Sequence, residues 1–312
     1  MSTNRTLITT GGLTGRHRIT RRSLMLGSGA AACLRAAPPA IRLEIGNYGM
    51  QAIAVDRALA FIRETGYDGA ELCCLPDWPS EPKRLDAAAR RRIRESGFPI
   101  PTLLEGFNLL APAEALRAVP DRIRAAAELA HDLDPSHPPI LETVLGGRPG
   151  EWEKVRDAMA ARLAAWARAA GENRIRLAVK AHAMQTADTP AKLLWLLDKV
   201  NHPALTGIYD YGHFQLAGLG IEESMDALLS RSAFLTLKDS KLENGKPQFL
   251  LPGDGNIDYT RYFRKVKEMQ WRGWALVEVT RQLQTQSGYD PEQAARRSYA
   301  YLVPVLKNLG LR

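Results

Sequence analysis

From residue 41 onward, short runs dense in apolar and β-branched residues alternate with longer stretches whose apolar positions recur three and four apart. The short runs read as strands: IRLEIG (41–46), GAELCC (69–74), IPTLLEG (100–106), PPILETVLGG (138–147), RIRLAVKAH (174–182), LTGIYDYGH (205–213), AFLTLKDS (233–240) and GWALVEVT (273–280). The longer stretches read as helices, from AVDRALAFIRET after the first strand to PEQAARRSYAYLVPVLKNLG after the last. Thr189-Pro190 and Asp258 have the chemistry of helix starts. Eight strands alternating with eight helices predict an α/β fold, a single-domain (β/α)8 TIM barrel over residues 41–312. The alternative is an open doubly wound sheet. Such a sheet usually follows its first strand with a glycine-rich phosphate loop, and EIGNYGMQ is not one, so no nucleotide cofactor is expected.

The strands break their apolar pattern at one end. Glu71, Glu105, Glu142, Lys180 with His182, Asp210 with His213, Lys238 with Asp239, and Glu278 all stand at or near C-terminal strand ends. A lone charge there is ordinarily a solvated loop residue. Its recurrence in successive units predicts a polar site at the barrel mouth, where this architecture places active sites.

Composition and charge narrow the picture. The chain has 312 residues, 45% of them hydrophobic, which fits a globular core. The formal net charge is +8, but residues 1–40 hold six arginines and no Asp or Glu, leaving 36 basic and 34 acidic residues beyond them. No nucleic-acid partner is expected from so balanced a body. Three of the six arginines, at 21, 22 and 35, belong to ITRRSLMLGSGAAACLRAAPPA (19–40), which has the form of a twin-arginine export signal. Its apolar part, Leu24 to Leu34, falls short of the ~20 residues that span a bilayer. The expectation is export to a periplasmic or other extracytoplasmic location, cleavage near Ala40 and no integral membrane span. Cys33 lacks the leucine three residues earlier that a lipidation box carries, and Cys73 and Cys74 read as small buried hydrophobes.

GYDGAEL at the second strand, YDYGHFQLAG at the sixth, LKDSK at the seventh, LPGDGNIDY before the seventh helix and GWALVEVT at the eighth resemble the xylose-isomerase-like TIM barrels. That superfamily includes sugar phosphate isomerases and epimerases, dehydratases and type-IV AP endonucleases. The resemblance implies one divalent cation (Mn, Mg, Co or Zn), held by a Glu on the fifth strand, an Asp on the sixth, a His on the seventh and a Glu on the eighth. Asp210 and Glu278 match this set. Lys180 stands where the Glu belongs, and Thr236-Leu237-Lys238-Asp239 stands where His-x-Lys-Asp would. An ammonium group has no lone pair for a metal. Two readings follow: Lys180 replaces the ion and pairs with Asp210 and Glu278, or the ion shifts to Glu142, Asp210 and Glu278 with His182 or His213 nearby. The AP-endonuclease branch needs a histidine-rich three-zinc cluster, and only five histidines follow residue 40.

The implied activity is that of an exported isomerase-, epimerase- or lyase-like enzyme acting on a sugar, keto-sugar or cyclic polyol. Such chemistry moves a proton next to a carbonyl and needs a base, an acid and positive charge on the oxyanion. Glu142 or Glu278 is the candidate base, His182 or His213 the proton shuttle, and Lys180 or a cation the oxyanion partner. Tyr48, Trp78 and Phe107 are candidates for stacking on a sugar face, with Glu105 and Lys238 as further substrate-binding residues. The alternatives are a metal-free lyase or hydrolase using Lys180, or a catalytically inactive sugar-binding barrel.

Overall fold

The computed structural model describes residues 39–312. The twin-arginine pattern and Cys33 lie outside the described residues. Eight parallel strands close into a barrel: β1 (Ile41–Gly46), β2 (Gly69–Cys73), β3 (Thr102–Glu105), β4 (Ile140–Val144), β5 (Leu177–Lys180), β6 (Leu205–Asp210), β7 (Ser232–Leu237) and β10 (Gly273–Val277). The order around the barrel is β1-β10-β7-β6-β5-β4-β3-β2. Helices cross back between successive strands, as parallel pairing requires. Thr189 and Asp258 do start helices, each accepting a backbone N–H with its side chain. Asp290 does the same for the last helix, Pro291–Asn308.

Side-chain alternation splits the strands into two faces. Leu43 and Ile45 of β1, Val179 of β5 and Val277 of β10 belong to the large apolar layer that also takes in the helices. A separate small cluster of Ala178, Ile208, Phe234 and Leu276, with Ile140 and Trp274 against it, fills the barrel interior. Arg42 and Trp274, paired across β1 and β10, stack at 4.1 Å near the N-terminal strand ends. Two residues further along each strand the same inward face turns polar.

The strands are shorter than expected, the fourth spanning only Ile140–Val144 and the fifth Leu177–Lys180, so that His182 follows its strand, and two readings change character beyond the strand end. The sixth strand stops at Asp210, and Tyr211–Phe214 is one helical turn that carries His213. The seventh stops at Leu237. Its expected continuation becomes β8 (Asp239–Glu243), which pairs antiparallel with β9 (Lys246–Leu250) in a hairpin outside the barrel. Asn244 and Gly245 form the two-residue turn with φ of 52° and 73°. Positive φ at both positions is the geometry that favours Asn-Gly in tight hairpins.

Candidate active site at the barrel mouth

The inward residues two places beyond the apolar cluster are Glu142, Lys180, Asp210, Thr236 and Glu278, on five adjacent strands. Period-two alternation therefore puts them in one layer, above Ile140, Ala178, Ile208, Phe234 and Leu276. Lys238, two residues beyond Thr236, bends into the same layer. Gly212 leaves room for it: a Cβ there would lie 2.9 Å from Lys238 Cγ.

The layer is an interleaved charge cluster. Lys180 Nζ donates to Glu278 Oε2 at 2.7 Å and lies 3.7 Å from Asp210 Oδ2 and 3.9 Å from Glu142 Oε1. Lys238 Nζ donates to Asp210 Oδ2 at 2.5 Å and to Glu278 Oε2 at 2.9 Å. Burial opposes the Lys180 charge, but Glu142, Glu278 and Asp210 outweigh it and hold the ammonium well above its ordinary range. Burial alone would raise Glu278; the two lysines reverse that and bring it below the usual carboxylate range. Glu142 is pushed up to about 7 by burial, with Lys180 countering and Glu278 adding to the rise. Its Oε2 has no hydrogen-bond partner.

A cavity of about 460 Å³ opens above this layer. Glu142, Lys180 and Glu278 reach its floor, and Tyr48, Glu105, His182, His213 and Phe249 line it. His182 Nδ1 accepts the Met184 backbone N–H at 3.2 Å, so the neutral ring carries its proton on Nε2. Burial, then Lys238 and Lys180, bring His182 down to about 3. The same causes, with His182 added, bring His213 well below its ordinary value. The two imidazoles lie against each other, tilted by 37° with centroids 3.8 Å apart, and Phe249 packs edge-on with His213 at 5.0 Å.

Several expected roles are corrected. Lys238 and Asp210 are fully buried beneath the floor and do not line the cavity, so Lys238 is an ion-pair partner rather than a substrate contact. Trp78 lies behind Tyr48, stacked at 5.5 Å and donating Nε1–H to the Tyr48 carbonyl. Phe107 is turned into the helix layer against Trp166, because its backbone N–H is drawn to Thr143 Oγ1. Glu105 lines the cavity but is already paired with Arg122. Asp239 faces away, its carboxylate accepting the backbone N–H groups of Ser240, Gly253 and Ile257. Glu71 is buried inside the barrel with one unpartnered oxygen, beside Glu44, whose Oε2 accepts from Thr102.

The hairpin supplies the residues that sequence reading missed. Phe249 and Pro247 form one wall of the cavity. Gln282 fixes them, accepting the Phe249 N–H at 2.7 Å and donating to the Pro247 carbonyl at 3.3 Å. Asn244-Gly245 was the available signal.

A divalent cation is compatible with this kind of barrel, but the metal set Glu142, Asp210 and Glu278 is not assembled here. Among the described residues no three His, Cys, Asp or Glu side chains are disposed to hold an ion. The ammonium groups of Lys180 and Lys238 stand between the carboxylates that would have to converge. Thr236 Oγ1, at the fourth expected position, is buried without a partner.

The family described as xylose isomerase-like TIM barrel matches residues 59–305. An inosose dehydratase of Geobacillus kaustophilus (strain HTA426) is 24% identical over 255 residues, 72% of this chain and 79% of that protein. Among solved structures, the IOLI protein with a binding zinc atom superposes with TM-score 0.69 at 17% identity, covering 86% of this chain and 98% of that one. An L-ribulose 3-epimerase superposes with TM-score 0.68 at 17% identity, covering 86% and 95%.

Proposed function

This chain belongs to the xylose isomerase-like TIM barrel family, and from that premise we propose that it moves a proton on the carbon next to a carbonyl in a sugar or cyclic polyol. The observation that carries the reading is Glu142, poised at about 7, with its carboxylate 3.9 Å from the Lys180 ammonium on the cavity floor. A base with that affinity is half-charged near neutral pH and works in both directions.

In the first half-reaction Glu142 takes the α-proton and the C–H electron pair moves into the carbonyl, making an enolate. Lys180 has three N–H donors and spends one on Glu278, so donors remain for the enolate oxygen. His182 presents its Nε2 proton as a neutral donor. In the second half, two outcomes are open to the enolate. It expels a β-hydroxyl, which leaves as water with the proton from Glu142, or it takes a proton back on carbon. The inosose dehydratase relative favours elimination; the epimerase neighbour favours proton return.

The test is proton NMR in D₂O with an inosose and a panel of ketohexoses. Loss of the α-proton signal, abolished in Glu142→Gln, is expected, and the products separate elimination from epimerisation. Neither exchange nor turnover across the panel would overturn the reading. The twin-arginine pattern extends the proposal to an exported enzyme. Cell fractionation should find it outside the cytoplasm, and Arg21→Lys/Arg22→Lys should retain it inside.

A further inference from the structure

We infer that Lys180 replaces the divalent cation that the resemblance implies, with Lys238 beside it as an ion-pair partner, so that the site works on built-in ammonium charge and takes up no metal. The inference rests on the proposed proton-transfer chemistry only for its catalytic meaning; the substitution itself is a matter of charge and position.

A divalent ion together with a fifth-strand carboxylate carries a net charge of +1, and Lys180 carries the same charge alone. Here it sits among the same carboxylates an ion would use. Lys180 lies within 3.9 Å of Glu142, Asp210 and Glu278, and Lys238 bridges Asp210 and Glu278. Asp210 and Glu278 are balanced one for one, which leaves Glu142 as the carboxyl whose proton is free to come and go. An ion entering this layer would have to displace Lys180 from its buried partners and leave its ammonium charge unpaired. That loss is steep for buried pairs.

The remaining donors are too few and too weak. Thr236 offers a neutral hydroxyl where the resemblance implies imidazole, and position 180 offers no lone pair at all. The two lysines also differ in role. Lys180 reaches the cavity with spare N–H donors, so it is the group able to touch substrate. Lys238 spends its hydrogen bonds on Asp210 and Glu278 below the floor and positions them.

The experiment titrates Mn²⁺ into the chelator-treated full chain at pH 7, read by calorimetry and by water-proton relaxation. No binding tighter than about millimolar is expected, the weak end of natural cation sites. One equivalent bound in the micromolar range would overturn the inference. The second arm is Lys180→Glu combined with Thr236→His, checked for folding by circular dichroism. It should bind Mn²⁺ at least about a hundredfold tighter than the parent, because carboxylate and imidazole replace a cation and a poor ligand. A folded double variant that binds no better than the parent would overturn the inference too. If that variant does not fold, the parent titration decides. Neither arm reads turnover, so an inactive parent that binds no metal sinks the proton-transfer reading and leaves this one standing.

Discussion

Lys180 and Lys238 hold their ammonium groups against one and the same oxygen, Oε2 of Glu278, at 2.7 and 2.9 Å. Two like charges tolerate this closeness only because Asp210 and Glu142 stand around them. Glu278 is therefore the keystone of the layer. Glu278→Gln should lower stability by about 3–5 kcal/mol, the usual cost of removing one partner of a buried pair. Urea unfolding measures it, and a change under ~1 kcal/mol, as for an exposed pair, would contradict the arrangement.

Glu142, at about 7, should set the acidic limb of kcat/KM. As a base it must be ionised, so activity should rise through pH 7 and fall away below it. Glu142→Gln should cut kcat by about 10²–10⁴ and erase that limb. A limb that survives the substitution belongs to another group.

Glu44 predicts a dependence of stability on pH. Burial, partly offset by Thr102, pushes it up to about 8 in the fold, against an ordinary value of 4.5. The folded chain holds this proton more tightly than the unfolded one. Its contribution is complete below pH 4.5 and is lost as pH rises through about 8. The shift corresponds to roughly 5 kcal/mol. Glu44→Gln, which keeps an acceptor for Thr102, should match the parent at pH 5 and exceed it by a few kcal/mol at pH 8. Denaturant midpoints at the two pH values provide the check.

Phe249 should act on substrate fit rather than folding. It lines the cavity from a hairpin outside the barrel. Phe249→Ala should raise KM about tenfold, the scale of one lost apolar contact in a pocket, and move Tm little. An unchanged KM on the best substrate would remove Phe249 from the binding wall.

Much of this fold was legible because parallel strands and their crossover helices have different apolar periods, which IRLEIG and AVDRALAFIRET display side by side. The polar layer was legible in part. Period two carries Ala178 to Lys180 and Leu276 to Glu278 on one face, and the resemblance brought those positions together with Asp210. The alternation ceases to guide once a strand ends. Phe107 and Lys238 both follow such an end, and local bonds to Thr143 and Asp210 decide their directions. Glu44 escaped notice for another reason. Polar alternation in a strand ordinarily marks a solvent face, but in β1 that face is the inside of a barrel.

The apolar cluster of Ala178, Ile208, Phe234 and Leu276, with the Arg42–Trp274 stack, also governs traffic. It stoppers the barrel from beneath, so among the described residues the cavity is approached from the barrel mouth. On the proposed chemistry, reactant and product share that approach, and product accumulating outside should slow turnover by competing for the cavity.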